Sequence, residues 1–348
     1  MNENMNATGL NAIAVTATNE SDELSVSGDF ISNATLQTIM KATYSGVIPT
    51  MAVVGLVFNV FSFVLLCPMK VRTSTNVYLI GLTVCDVWIL LCGLAFCSMS
   101  ILDLHDCFLA ERIRILLVPL FVSYINPLPG SISNYLVTLI AVDRFVAVVF
   151  PLKVRVFCGR RFAIAAVIAA YVIPAIVSAP LAFLYENKEM NNTDTGEIVD
   201  TVSLTTFGKD KCTVRILNIA IEVVLRFTPV GLVAAASTGT IISLIYQSRK
   251  SQLRKHNLPA HTREIQVTKT ILILTIVFLI TNLPSAINRC VIFLRSDVYT
   301  AQRQDNLQWM LMVFWYICFI ANSCINFPIY IIACKEYRQQ FQKIMCSP

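Results

Sequence analysis

Asp86 lies alone in the middle of a long apolar run, at the end of Leu82-Thr83-Val84-Cys85-Asp86. An ionisable side chain in such a place is costly and is usually kept for a function. Asn59, Ser133, Asn282, Asn322 and Asn326 lie at comparable depths in other apolar runs. Two readings stand. Either these groups form one polar cluster around Asp86 that holds a hydrated cation or rearranges, or they make unrelated hydrogen bonds between helices. The similar depths favour the cluster. Asp143-Arg144-Phe145 closes a third run, where an arginine by itself reads as a snorkelling interface residue. Asn326-Phe327-Pro328-Ile329-Tyr330 closes the last run, with one helical turn between the Asn and the Tyr. Pro229, Pro284 and Pro328 each remove a backbone hydrogen bond and predict bends in three successive runs. Acid–base or nucleophilic catalysis would want paired carboxylates or a histidine beside a nucleophile. The only histidines, His105, His256 and His261, lie outside the apolar runs, so no enzyme is expected.

The elements that carry these residues follow from composition. Of 348 residues, 56% are hydrophobic and 14% charged, against about a quarter charged in a soluble chain. Mean hydropathy is +0.67. This excludes a disordered chain, a basic nucleic-acid binder and most soluble enzymes. Seven stretches are long enough to cross the hydrocarbon core as helices: Gly46 to Cys67, Val77 to Cys97, Ile115 to Val148, Phe162 to Leu184, Val214 to Tyr246, Val267 to Leu294 and Leu307 to Ala333. The expected fold class is an all-α membrane protein, a seven-transmembrane helix bundle over 46–334. Residues 335–348 form a cytoplasmic segment in which Tyr337, Phe341 and Ile344 predict a short amphipathic helix on membrane lipid.

The links 1–2, 3–4 and 5–6 and the C-terminal segment hold 16 Lys and Arg but only three acids, Asp143, Glu264 and Glu336. Basic short loops mark the cytoplasmic side, so the N-terminus is expected outside. Residues 1–45 are polar, lack a basic-then-apolar leader and read as a glycosylated, disordered extracellular tail. The sequons at Asn6, Asn19, Asn33 and Asn191 all fall on that same side. Alternation in the long fourth link, with a Gly208-Lys209-Asp210 turn, suggests a hairpin. Most of the 12 cysteines lie in or beside spans and read as packing. Cys107 and Cys212 lie in outer loops, where a disulfide between them is expected, the alternative being two unrelated thiols. Cys346, after the amphipathic stretch, is a palmitoylation candidate or a free thiol.

The ordered set of motifs resembles the rhodopsin-like (class A) G protein-coupled receptors over about Gly46 to Met345. Asn59, Asp86, Asp143-Arg144-Phe145, Pro229, the Phe278 and Pro284 pair, and Asn326 to Tyr330 stand where that family has its helix-1 Asn, helix-2 Asp, DRY, helix-5 Pro, helix-6 pair and NPxxY. The departures are specific. Phe145 replaces Tyr, Asn282 stands where most members have Trp, and the helix-7 Pro is displaced by one. The usual helix-3 cysteine would fall near Pro119, which makes Cys107 a displaced stand-in. Phe278 to Pro284, Asn322 to Phe327, Tyr124 and Pro127 resemble invertebrate FMRFamide-like neuropeptide receptors; nematode chemosensory receptors compete.

The resemblance implies an outer pocket among spans 2, 3, 5, 6 and 7. Asn126 replaces the aspartate of amine receptors and the seventh span has no retinal-binding Lys, which disfavours both of those classes. Candidate ligand contacts are Phe96, Asn126, Glu222, Arg226, Asn282, Arg289 and Tyr316, with Trp315 as a further wall. Glu222 and Arg226 are spaced to pair with each other. The alternative has Glu222 meeting a cationic peptide side chain, and Arg226 or Arg289 meeting a carbonyl or carboxylate. The resemblance assigns activation to Asp143, Arg144, Phe145, Phe278, Pro284, Asn326 and Tyr330. It assigns an allosteric sodium ion to Asp86, Ser133, Asn322 and Asn326; no other cofactor is expected. The expected partners are an extracellular peptide, a heterotrimeric G protein and membrane lipids, with no nucleic acid, at the plasma membrane. A chemosensory receptor for a small molecule is the alternative. A transporter or channel is distant, since there is one deep acid and no internal repeat.

Overall fold

The computed structural model describes residues 32–67, 74–102, 105–150, 159–191, 198–251, 259–294 and 306–346. Seven helices in it are long and apolar enough to cross a membrane, so the chain is a multi-pass membrane protein. They are α1 (Asn33–Leu66), α2 (Ser74–Leu102), α3 (Pro119–Val149), α4 (Arg160–Phe183), α5 (Lys211–Gln247), α6 (Pro259–Leu294) and α7 (Asn306–Ala333). The amphipathic helix predicted after the last span is α8 (Lys335–Cys346). Short helices at Cys107–Leu117 and Thr206–Lys209 lead into α3 and α5.

The faces follow from the solvent. On α1, Ile48, Ala52, Gly55, Asn59 and Ser62 recur at helical spacing and are buried, while Val53, Val54, Val57, Val60 and Val64 point outward. A soluble helix would turn its aliphatic residues inward. Lipid tails accept them equally well, so small and polar residues take the helix contacts. Gly55 shows the gain: a Cβ there would press on Cys324 Sγ of α7 and on Leu90 of α2. The neighbours close a ring in which α3 packs on α2, α4, α5 and α6, and α7 returns to α1 and α2. Leu79, Leu82, Ile132, Leu136, Ile140, Phe278 and Tyr330 fill its centre.

Proline and irregular turns leave carbonyls unpaired, and side chains from neighbouring helices take them. In α5 the turn Val223–Phe227 is wound as a π-helix, with Thr228 N–H donating to Val223 O. Val224 O loses its usual donor and accepts instead from Tyr135 Oη at 3.2 Å. Leu225 O would bond residue 229, which is Pro229 and has no N–H; Asn134 Nδ2 donates to it at 3.1 Å. In α4 the N–H of Ala179 turns to Ile176 O, and Tyr124 Oη donates to the freed Ala175 O at 3.0 Å. Similar π-turns occur at Thr43–Val47 and Val118–Ile125.

The fourth link forms the expected hairpin, β1 (Tyr185–Asn191) against antiparallel β2 (Ile198–Leu204), with Tyr185 opposite Leu204. The Gly208-Lys209-Asp210 stretch is not its turn. Thr205 caps a helical turn through Gly208 N, and Asp210 then caps α5 by accepting from Cys212 N and Thr213 N. Part of the segment expected to be a disordered tail, from Asn33 onward, is helical. α1 begins at Asn33 with Ser32 as its N-cap, because Leu36 and Met40, one turn apart, bury themselves against the bundle. Asn6 and Asn19 lie outside the described residues. Of the two cysteines expected to bridge, Cys212 is a free, exposed thiol among the described residues, its backbone fixed by the Asp210 cap. The side chains of Cys107, Asn191 and Cys346 lie outside the described residues.

Candidate functional site

Two groups of side chains lie at opposite ends of α3, with a polar core between them. At the hairpin end a cavity of about 240 Å³ opens between α3, α5, α6 and α7. The α3 and α5 turns described above shape its wall. Of the seven residues expected to line it, six do: Asn126, Glu222, Arg226, Asn282, Arg289 and Tyr316. Phe96 does not. It packs behind the wall, edge-on to Tyr316 at 5.9 Å and to Tyr44 at 5.5 Å. Trp315 and Phe319 line the cavity as a stacked pair 5.9 Å apart. Asn134 and Ser285 also face it. Their polarity within spans was the signal that could have singled them out.

Glu222 makes the expected approach to Arg226 and a second, unexpected contact with Arg289. Its Oε1 lies 3.0 Å from Arg289 Nη1 on α6, and its Oε2 lies 3.5 Å from Arg226 Nε one turn along α5. The shorter contact crosses between helices, and Oε2 makes no hydrogen bond among the described residues.

Below the cavity, Asp86 Oδ2 accepts from Asn326 Nδ2 at 2.6 Å, joining α2 to α7. Asn59 Nδ2 spans α1 and α7 by donating to Gly55 O and Ser323 O, each at 2.8 Å. Asp86 Oδ1, Ser133 Oγ, Ser323 Oγ and Asn59 Oδ1 are buried without a hydrogen-bond partner among the described residues. Such an oxygen set, with one carboxylate, suits waters or a hard cation. Asn322, expected in that set, accepts from Thr281 Oγ1 at 3.1 Å and ties α7 to α6. Asn282 Nδ2 turns back on its own helix to Phe278 O at 2.9 Å.

At the α8 end, Arg144 is held by its neighbour. Its Nη2 and Nε lie 2.6 and 3.1 Å from Asp143 Oδ2. Ser74 Oγ and Thr75 Oγ1, at the start of α2, donate to the same carboxylate at 2.5 and 2.9 Å. Arg144 Nη2 also donates to Thr75 Oγ1. Asp143 is buried and the Arg144 side chain is 13% exposed, so the pair is shielded from water. Ser74 and Thr75 carry no sequence signal of this role, because serine and threonine at a helix start read equally well as caps. Phe145 lies against Gly239 of α5, where a Cβ would meet its ring at 2.6 Å. Gln247 Nε2 donates to Val148 O at 2.9 Å across the same seam. Tyr330 is buried with its ring 5.4 Å from that of Tyr337 on α8. Phe341 packs on Phe61 and Phe327. Phe278 is buried six residues before Pro284, within α6.

The family described as 7 transmembrane receptor (rhodopsin family) matches residues 59–330, which hold the cavity, the polar core around Asp86 and the Asp143–Arg144 pair. A probable G-protein coupled receptor of Caenorhabditis elegans is 24% identical over 321 residues, covering 89% of this chain and 71% of that protein. Mouse somatostatin receptor type 2 is 24% identical over 305 residues, covering 84% and 74%. Rat galanin receptor type 2 is 24% identical over 273 residues, covering 78% and 67%.

Proposed function

The chain belongs to the rhodopsin family of seven-transmembrane receptors, a signalling rather than an enzymatic family, and from that premise we propose that it binds an extracellular peptide and activates a heterotrimeric G protein at the plasma membrane. The observation that carries this reading is the placement of the cavity and the Asp143–Arg144 pair on one helix. Asn126 lines the first and Arg144 forms the second, eighteen residues or about 27 Å apart at 1.5 Å per residue. A peptide that prefers the bundle with its α8 end open shifts a pre-existing equilibrium toward that state. Opening frees Arg144 from Asp143 and Thr75 and offers it to the G protein. Pro284 supplies the bend about which α6 swings, and Tyr330 supports the opened seam. The N-terminus is extracellular in this reading, in line with the basic inner links.

Relatives named as receptors for somatostatin and galanin support a peptide ligand. The narrower FMRFamide-like reading rests on the helix-6 and helix-7 motifs. Such a ligand would bring a cationic side chain to Glu222, which two guanidiniums already flank, so the proposal stays with a peptide. A small-molecule ligand is the second reading, favoured by a cavity that at about 240 Å³ falls below the usual range of about 300–1,000 Å³. A sodium ion would be held by Asp86 with Ser133 and Asn326, where the unpartnered oxygens fit it. There it would supply positive charge to the buried carboxylate.

The test is a screen of synthetic peptides against the chain reconstituted with G proteins, read as nucleotide exchange. Peptide-dependent exchange that Arg144→Ala abolishes supports the reading. Peptide-dependent ion current or solute flux in liposomes without G protein would sink it.

A further inference from the structure

Among the described residues, three charged side chains line the cavity: Glu222, Arg226 and Arg289. One carboxylate cannot neutralise two guanidiniums, so the cavity carries an excess of one positive charge. The excess is local. The other polar residues lining it, Asn126, Asn134, Asn282, Ser285 and Tyr316, are neutral. The geometry also shows where the charge is least satisfied. Arg289 makes a close contact with Glu222 at 3.0 Å, whereas Arg226 reaches it only at 3.5 Å and through Nε alone. The forked Nη1 and Nη2 edge of Arg226 makes no hydrogen bond among the described residues, although its side chain is 19% exposed. A planar guanidinium edge with free donors matches a carboxylate, which it can grip with two parallel bonds.

We infer that the cavity is a carboxylate-binding site, in which Arg226, aided by Arg289, grips a carboxylate of the ligand, either a free C-terminus or an acidic side chain. This deepens the peptide reading above and rests on it for the ligand's origin, but not for the chemistry of the site. Glu222 is a competing internal anion here: its carboxylate occupies Arg289 at 3.0 Å and Arg226 at 3.5 Å, and so lowers the positive charge offered to a ligand. A cationic ligand group would have to displace one arginine from Glu222 while facing the other. A ligand with a neutral amide end would give Arg226 only a carbonyl, and hydrogen bonds between neutral and charged partners are weaker than those between two ions.

The experiment uses the purified full chain in lipid nanodiscs and reads ligand-induced thermal stabilisation. The probes are N-acetylphenylalanine, its C-terminal amide and phenethylamine, which share one ring and differ in charge. The carboxylate is expected to bind at least about tenfold tighter than the amide, and the amine not measurably. Arg226→Gln should erase the preference for acid over amide. Glu222→Gln raises the local charge and should tighten the carboxylate further, a gain that a damaged fold cannot mimic. Equal binding of acid and amide, preference for the amine, or weaker carboxylate binding in Glu222→Gln overturns the inference. Its failure is separable from that of the receptor reading. If an amidated peptide drives exchange and its free-acid twin does not, the receptor stands and the carboxylate site falls. If the acid probe binds as described while no peptide drives exchange, the site stands and the peptide reading falls.

Discussion

Thr75→Val removes one hydroxyl from the inner latch and leaves a side chain of the same shape. That hydroxyl donates to Asp143 Oδ2 at 2.9 Å and accepts from Arg144 Nη2, so it touches both halves of the pair. A hydrogen bond to a charged group contributes about 1.5–3 kcal/mol. The pair is shielded, with Asp143 2% exposed, so little of that is lost to solvent screening. Two bonds are lost, but Asp143 keeps Ser74 and Arg144 while Arg144 keeps Asp143, so neither charge is left unpaired and one bond's worth is the lower bound. If opening breaks this contact, the loss favours the open state by roughly 10- to 100-fold. An open population of about 1% before mutation would rise to roughly 10–50%. The assay is nucleotide exchange by G protein on the purified variant without ligand. Thr83→Val is the control, because Thr83 is equally buried and its hydroxyl bonds only Leu79 O of its own helix. Basal exchange unchanged in Thr75→Val, or raised equally in Thr83→Val, would refute the assignment of the latch.

Asn134→Ala should lower thermal stability by about 1–3 kcal/mol by orphaning Leu225 O, and Pro229→Ala in the same chain should recover part of it by restoring a backbone donor. Additive losses in that double-mutant cycle would contradict the proline account. Gly55→Ala should cost about 1–3 kcal/mol through its clash with Leu90 and Cys324, while Gly46→Ala, which meets nothing within 4 Å, should be neutral or mildly stabilising in the same melting experiment. Bonds from Thr213 and Cys212 hold the carboxyl of exposed Asp210 below its ordinary value of 3.8. The unfolded segment therefore binds the proton more readily, so the cap's contribution is full above that value and is lost as pH falls through the depressed one. The protection of the Cys212 and Thr213 amides, taken relative to their intrinsic exchange rates at each pH, should fall on acidification in the native chain and lose that dependence in Asp210→Asn. Finally, Asp86→Asn should abolish any effect of sodium on agonist affinity; sodium sensitivity that survives the substitution removes the cation from the account.

The spans, their number and the amphipathic helix were legible because hydropathy and helical spacing are local properties of the chain. The polar core was legible for the same reason, since each of Asn59, Asp86 and Asn326 stands out against an apolar background. What was hidden depends on which neighbour a side chain meets. Glu222 has a sequence-local partner in Arg226, yet its closest contact is Arg289 across a helix boundary. Phe96 reads like any pocket aromatic, but Tyr316 stands between it and the cavity. The start of α1 was missed because its outward face is polar, and only Leu36 and Met40 betray the buried side. The π-turns left no local mark either; they show only in where the displaced carbonyls find their donors.

Those displaced carbonyls carry an evolutionary consequence. Tyr124, Asn134 and Tyr135 clasp main-chain oxygens of Ala175, Leu225 and Val224, and an amide oxygen is the same on every amino acid. The clasping positions are thus constrained while the clasped ones can drift in side-chain identity without loosening the joint. A lineage can retune the mouth residue by residue for a new messenger while the frame beneath it stays put.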